Sequence, residues 1–160
     1  MKRLSIISII SFLILFSCTT EVAIDKNAET KAIQNVVESF FVSLGDFDAE
    51  TMKSYITEDF LAFDLAKIMN IDDMVSALAE FKEMGITDLN YSIELVKSDV
   101  FEKNALFCYK NAASAKMGEQ EMSMEFIESC FMLKTETGWK VKFLHSTQVP
   151  PPAPPNPDAE

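Results

Sequence analysis

The stretch 33-IQNVVESFFVSLGD-46 decides the fold. Ile33, Val36, Val37, Phe40, Phe41 and Leu44 recur at intervals of three and four, so a helix over Asn27 to Leu44 carries its large apolar side chains on one face. Gly45 ends it. A face that wide needs an apolar surface to lie on, and the rest of the chain supplies one. Asp48 can cap a second helix over Ala49 to Ile56, with Met52, Tyr55 and Ile56 inward. Phe60-Leu61-Ala62-Phe63 reads as a short strand or irregular segment. A third helix starts at Asn70, with Asp73 placed as in a capping box and Ile71, Met74, Val75, Leu78 and Phe81 as its buried stripe, and Gly85 stops it.

Beyond Gly85 the period changes from 3.6 to 2. Leu89, Tyr91, Ile93 and Leu95 alternate with Asn90, Ser92 and Glu94, the mark of a strand with one buried face. Ala105 to Lys116 and Glu121 to Thr135 form two more strands around Met117-Gly118-Glu119-Gln120. Trp139 to Gln148 forms the last, after Thr137-Gly138. Helices followed by an antiparallel meander predict an α+β domain: three N-terminal helices packed on one face of a curved antiparallel sheet.

The ends of the chain read differently. Lys2 and Arg3 precede an apolar run from Leu4 to Phe16, which at 13 residues falls short of the roughly 20 needed to span a bilayer and fits a signal-peptide core. Leu15-Phe16-Ser17-Cys18 resembles the bacterial lipoprotein lipobox. That resemblance implies cleavage before Cys18, acylation of its thiol and amine with chains such as palmitate, and a protein held on membrane lipid in the cell envelope. Thr19 stands where an inner-membrane retention signal would have Asp, which favours the outer membrane. The organisation expected is a signal over 1–17, a lipidated tether over 18–26, a domain over 27–149 and a Pro-rich tail over 150–160 that contains all six prolines.

Removing the signal takes Lys2 and Arg3 with it and moves the net charge from −11 to −13. That excess has the wrong sign for phosphate contacts, so nucleic acid is not expected as a partner. Export would permit Cys108 and Cys130 to pair. A turn centred on Glu119 puts them directly opposite each other, and a one-residue slip turns them to opposite faces as two free core thiols. The same centring sets Glu128 across from Lys110, an ion pair. A single histidine without Asp or Cys at ligand spacing cannot build a metal site, and four isolated glycines form no phosphate loop, so neither metal nor cofactor is expected.

Three segments in this order, Ile33 to Asp46, Tyr55-Ile-Thr-Glu-Asp-Phe60, and Leu133-Lys-Thr-Glu-Thr-Gly-Trp-Lys-Val141 running to His145-Ser146, resemble the nuclear transport factor 2-like superfamily in its SnoaL-like, ketosteroid-isomerase-like branch. The resemblance covers about residues 28 to 148. It implies a cone: a strongly bent sheet around the long first helix, an apolar pocket inside, and a homodimer through the sheet's outer face. Phe40, Tyr55, Phe63, Tyr91, Tyr109, Met124 and Phe143 are expected to line that pocket.

Such a cone hosts enzymes and binders alike, so chemistry must come from the polar residues. On the last strand Trp139, Val141, Phe143 and His145 fall on one face, which points His145 inward either as an acid-base group or as a core histidine satisfied by backbone. Asp64 closes the Phe60–Phe63 segment, where it is a general base walled by phenylalanine or the cap of a turn. The reading reached is an envelope lipoprotein whose cone binds a small apolar or lipidic ligand. The alternatives are a SnoaL-like isomerase, dehydratase or hydrolase using His145 and Asp64, and a protein-interaction module on the convex sheet face.

Overall fold

The computed structural model describes residues 24–64 and 66–151. The signal, Cys18 and most of the tether precede these residues, and all but the first two residues of the Pro-rich tail follow them. Helix α1 (Lys26–Gly45) is followed by α2 (Ala49–Ser54), β1 (Ile56–Asp64), β2 (Lys67–Met69), α3 (Ile71–Glu83), β3 (Ile86–Val100), β4 (Asn104–Met117), β5 (Gln120–Thr135) and β6 (Gly138–Gln148). The caps of α2 and α3 fall where the sequence puts them. Asp48 accepts from the Thr51 amide at the start of α2. Asn70 and Asp73 form a reciprocal capping box at the start of α3. Asp25 caps α1 by accepting from the Asn27 and Ala28 amides.

One six-stranded sheet runs in the order β2-β1-β6-β5-β4-β3. It is not a pure meander. β1 enters parallel to β6, pairing Ile56 with Val141 and Phe63 with His145, while all other pairs are antiparallel. The segment read as a short strand is therefore nine residues long and sits inside the sheet. Helix α1 lies antiparallel along β3 on the concave face. Phe41 packs on Tyr91 with ring centroids 4.9 Å apart, and Thr30 Oγ1 is 3.3 Å from Ser98 Oγ. Gly45 does more than end the helix: a Cβ there would come within 2.4 Å of the Leu89 carbonyl oxygen, so only glycine lets α1 approach β3 this closely. Ile33, Val37, Phe40, Met52, Phe107 and Met132 are fully buried between helix and sheet.

Two details of register overturn sequence expectations. The β4–β5 turn has two residues, Gly118 and Glu119, with Gly118 at φ +63° as a tight hairpin requires at its first central position. A turn centred on Glu119 needs three. The difference of one residue pairs Phe107 with Cys130 and Cys108 with Ser129, so the cysteines point to opposite faces and both thiols are free. It also sets Glu128 opposite Tyr109 rather than Lys110, and Lys110 instead pairs with Glu94 across β3. The second detail lies in β6. Phe131 pairs with Phe143 but Met132 with Val141, which makes Lys142 an extra residue, a bulge. Beyond it the alternation inverts: Leu144 is buried and His145 is exposed. His145 therefore does not share a face with Trp139 and Val141.

Candidate functional site

Beyond that bulge a row of polar side chains crosses the concave face. Ser146 of β6 pairs with Glu128 of β5, which pairs with Tyr109 of β4. Continuing the β1–β6 register past Phe63 and His145 brings Asp64 level with Ser146. Glu128 is only 6 % exposed. Ser146 Oγ donates to its Oε1 at 2.9 Å, Asn111 Nδ2 to its Oε2 at 3.2 Å, and the Tyr109 hydroxyl also donates to this carboxyl. Its alternation explains the burial: Glu128 takes the inward position between Phe126 and Cys130, and the strand cannot turn it out without exposing Cys130 and Met132.

Burial dominates the electrostatics and pushes the Glu128 carboxyl above the usual glutamate range. Hydrogen bonds from Ser146, Tyr109 and Asn111 oppose that rise, in that order, and the charge of Asp64 adds to it. Tyr109 is held far above the ordinary phenol range by burial first and by Glu128 second. Tyr91 is raised by the same causes, with Asp64 contributing. Asn111 is buried too, and its Oδ1 has no hydrogen-bond partner among the described residues. A buried acceptor of that kind costs about 1–3 kcal/mol unless a donor reaches it.

The row opens to solvent at Ser146. A cleft of about 280 Å³ is lined by Phe63, Asp64, Ala66, Lys67, Ile68, His145 and Ser146. Its far wall is the tight β1–β2 connection, where Ala66 adopts φ +62°, a conformation costly for a residue with a Cβ. His145 stands edge-on to Phe63 with ring centroids 6.3 Å apart, and Phe63 stands edge-on to Phe143 at 5.1 Å. The volume lies near the lower limit of small-ligand pockets. Phe63, Ile68 and His145 form the apolar rim of the cleft on the outer side of the sheet. Ser146, whose hydroxyl is turned to Glu128 on the concave side, is the residue at which the cleft meets the polar row.

The sequence candidates divide. Asp64, Phe63 and His145 come together at the cleft, and Tyr109 meets its inner end through Glu128. Tyr91 and half-buried Met124 face the concave side away from the cleft. Phe40 is core packing, with Phe41 and Phe60 around it. Tyr55 caps α2, its carbonyl accepting from the Val141 amide. Phe143 follows the bulge onto the outer face, in register with Leu61 and Phe131. Neither Phe40, Tyr55 nor Phe143 lines the cleft. Sequence reasoning missed Asn111 and Ser146 and gave Glu128 the wrong partner. The available signal was a polar side chain on the buried parity of an apolar strand: Asn111 among Phe107, Tyr109, Ala113 and Ala115, and Glu128 between Phe126 and Cys130. Among the described residues no cluster of three His, Cys, Asp or Glu side chains is arranged to hold a metal ion.

The sequence matches no protein-family model, and no curated protein matches it. Solved structures do match. A ketosteroid isomerase-like protein from Erwinia carotovora atroseptica shares 15 % identity, with 78 % of this chain and 99 % of that one covered and a TM-score of 0.62. An NTF2-like protein with a cystatin-like fold from Novosphingobium aromaticivorans shares 10 % identity over 79 % and 86 %, at 0.65. A proposed dehydratase of the NTF2-like family from Streptomyces avermitilis shares 14 % over 78 % and 99 %, also at 0.65. The helices against a curved sheet, the strand order and these neighbours together identify the architecture as the nuclear transport factor 2-like cone fold.

Proposed function

We propose that this domain is held on the envelope side of a bacterial membrane, the outer one by preference, by acyl chains on Cys18, and binds a small, mainly apolar molecule bearing one hydrogen-bonding group. The observation that carries the binding reading is Ser146, which lines the cleft and donates to buried Glu128. A polar head entering between Asp64 and Ser146 meets a hydrogen-bonded chain that ends in the core, while Phe63 and Ile68 take the apolar part. Specificity in such a site comes from few polar contacts inside an apolar frame.

Native mass spectrometry of the protein purified from its own host tests this reading. A co-purifying small molecule is expected, and Ser146→Leu, which fills the cleft and removes the donor, should lose it. Recovery of the ligand-free mass alone, together with no cleft-centred NMR shifts from a panel of apolar carbonyls, acids and alcohols, would reject it. Anchoring has its own test: Cys18→Ala should move the protein from the membrane pellet to the soluble fraction.

One observation favours a catalytic version. A carboxyl raised by burial and linked by a hydroxyl to a solvent-open cleft is the equipment of a general acid that isomerises or dehydrates an apolar substrate. In that version Glu128, rather than His145, carries the proton, and Asp64 is its counterpart base. Glu128→Gln should then abolish turnover of the bound molecule while leaving its binding intact.

A further inference from the structure

We infer that the end of the domain opposite the cleft is a membrane-contact surface, with Phe101 at its tip and an anionic phospholipid bilayer as its partner. The inference rests on the anchor proposed for Cys18. Three segments, 24–31, 97–104 and 133–140, meet at this end. Lys134 Nζ reaches Glu29 at 2.5 Å and Trp139 Nε1 donates to the same carboxylate at 2.6 Å. Thr30 meets Ser98, and the Lys134 amide donates to the Lys103 carbonyl. The start of α1 and the β3–β4 and β5–β6 turns are thereby fixed as one surface.

Charge singles this end out. Its three segments hold six lysines and five carboxylates, whereas the remaining described residues hold six lysines against seventeen carboxylates. Counting Glu21 in the tether brings the end to neutrality. An anionic leaflet, felt over about 8 Å at physiological ionic strength, repels the rest of this molecule and leaves this end as the face that can approach. Phe101 stands there 58 % exposed, between buried Val100 and exposed Glu102, with Lys103 next along the turn. An exposed aromatic ring at the tip of a turn that also carries a lysine suits the headgroup boundary.

Reach makes the same choice. From Cys18 to Asp25 the chain spans at most about 25 Å. The twenty residues of α1 are about 30 Å long, and about 26 Å of β6 separates Gly138 from Ser146. A domain standing on its cleft end would hold the start of α1 about 26–30 Å above the bilayer, which requires the tether to be fully extended or longer, whereas the opposite orientation leaves it slack. The cleft faces away from the anchoring membrane, so its ligand arrives from the aqueous phase or a facing membrane and not from the leaflet that holds the acyl chains.

Fluorescence quenching of the acylated full-length protein tests this on vesicles of phosphatidylethanolamine and phosphatidylglycerol with brominated acyl chains. The one native tryptophan, Trp139, is buried and sets the baseline. Phe101→Trp should add emission that bromolipid quenches, and Ile68→Trp, at the cleft, should add emission that it does not. Quenching at residue 68 equal to or above that at 101, or none at either site on vesicle-bound protein, would overturn the inference. Flotation of the same samples separates the two levels: protein that fails to float with the vesicles refutes the anchor itself, whereas floating protein with the wrong quenching pattern refutes only the orientation.

Discussion

The two faces of the sheet carry rows of opposite character across the same strands. On the concave face Ser146, Glu128 and Tyr109 form a polar row in which Glu128 and Tyr109 are buried and Ser146 is half-buried. On the convex face Leu61, Phe143, Phe131 and Leu106 are in register across four strands, three of them 36 to 40 % exposed. This reverses the usual arrangement of apolar inside and polar outside. A buried polar row costs desolvation and an exposed apolar row forgoes burial, so neither is explained by folding alone. The concave row forms the inner end of the proposed ligand site. The convex row is the surface on which the resemblance puts a homodimer.

The comparison is broken most severely by deleting its central group. Glu128→Ala leaves the donors of Ser146, Asn111 and Tyr109 without their acceptor, and we expect a loss of about 3 kcal/mol in urea denaturation. Tyr109→Phe keeps the ring and removes one hydrogen bond, which should cost about 1 kcal/mol. Glu128→Gln sharpens the picture through pH. A carboxyl whose folded pKa lies above its unfolded one stabilises the fold most below the unfolded value, and that contribution is lost as pH rises through the folded value. The stability of Glu128→Gln relative to wild type should therefore rise from about pH 4.5 until Glu128 itself ionises, then level off. On the other face, Phe131→Ser together with Leu106→Ser should change stability by no more than about 1 kcal/mol, since both side chains are already partly in water. If two copies meet there, that pair of changes should convert a dimer to a monomer in light scattering.

Those variants also mark what the sequence could tell. Periodicity is local information, and it located the long helix, both short ones and the caps of those two, because a stripe at three and four or an Asn-x-x-Asp box depends on nothing beyond one turn. The second helix ends at Ser54, two residues before the expected Ile56, which instead opens β1. Strand parity was legible on β5: Glu128 and Cys130 share the inward face that alternation assigns. Register was not. Whether the β4–β5 turn used two residues or three depended on the backbone of Gly118, and that single residue separated Cys108 from Cys130 and gave Glu128 its partner Tyr109. The Lys142 bulge depends on β5 and β6 meeting, so no reading of β6 alone could have turned His145 outward. The parallel entry of β1 is likewise a matter of which strands pair, and it brings Asp64 to Ser146 from 82 residues away.

The central claim is that a buried carboxyl, raised by its surroundings, communicates with the cleft through one hydroxyl. Carboxyl ¹³C NMR of the glutamates through a pH titration, on wild type and Ser146→Ala, measures this directly. The account predicts that Glu128 ionises above the exposed glutamates, and that losing the Ser146 hydrogen bond, the strongest influence opposing the rise, moves it higher still. A Glu128 signal that titrates with the exposed glutamates, or that ignores the Ser146 substitution, would contradict it.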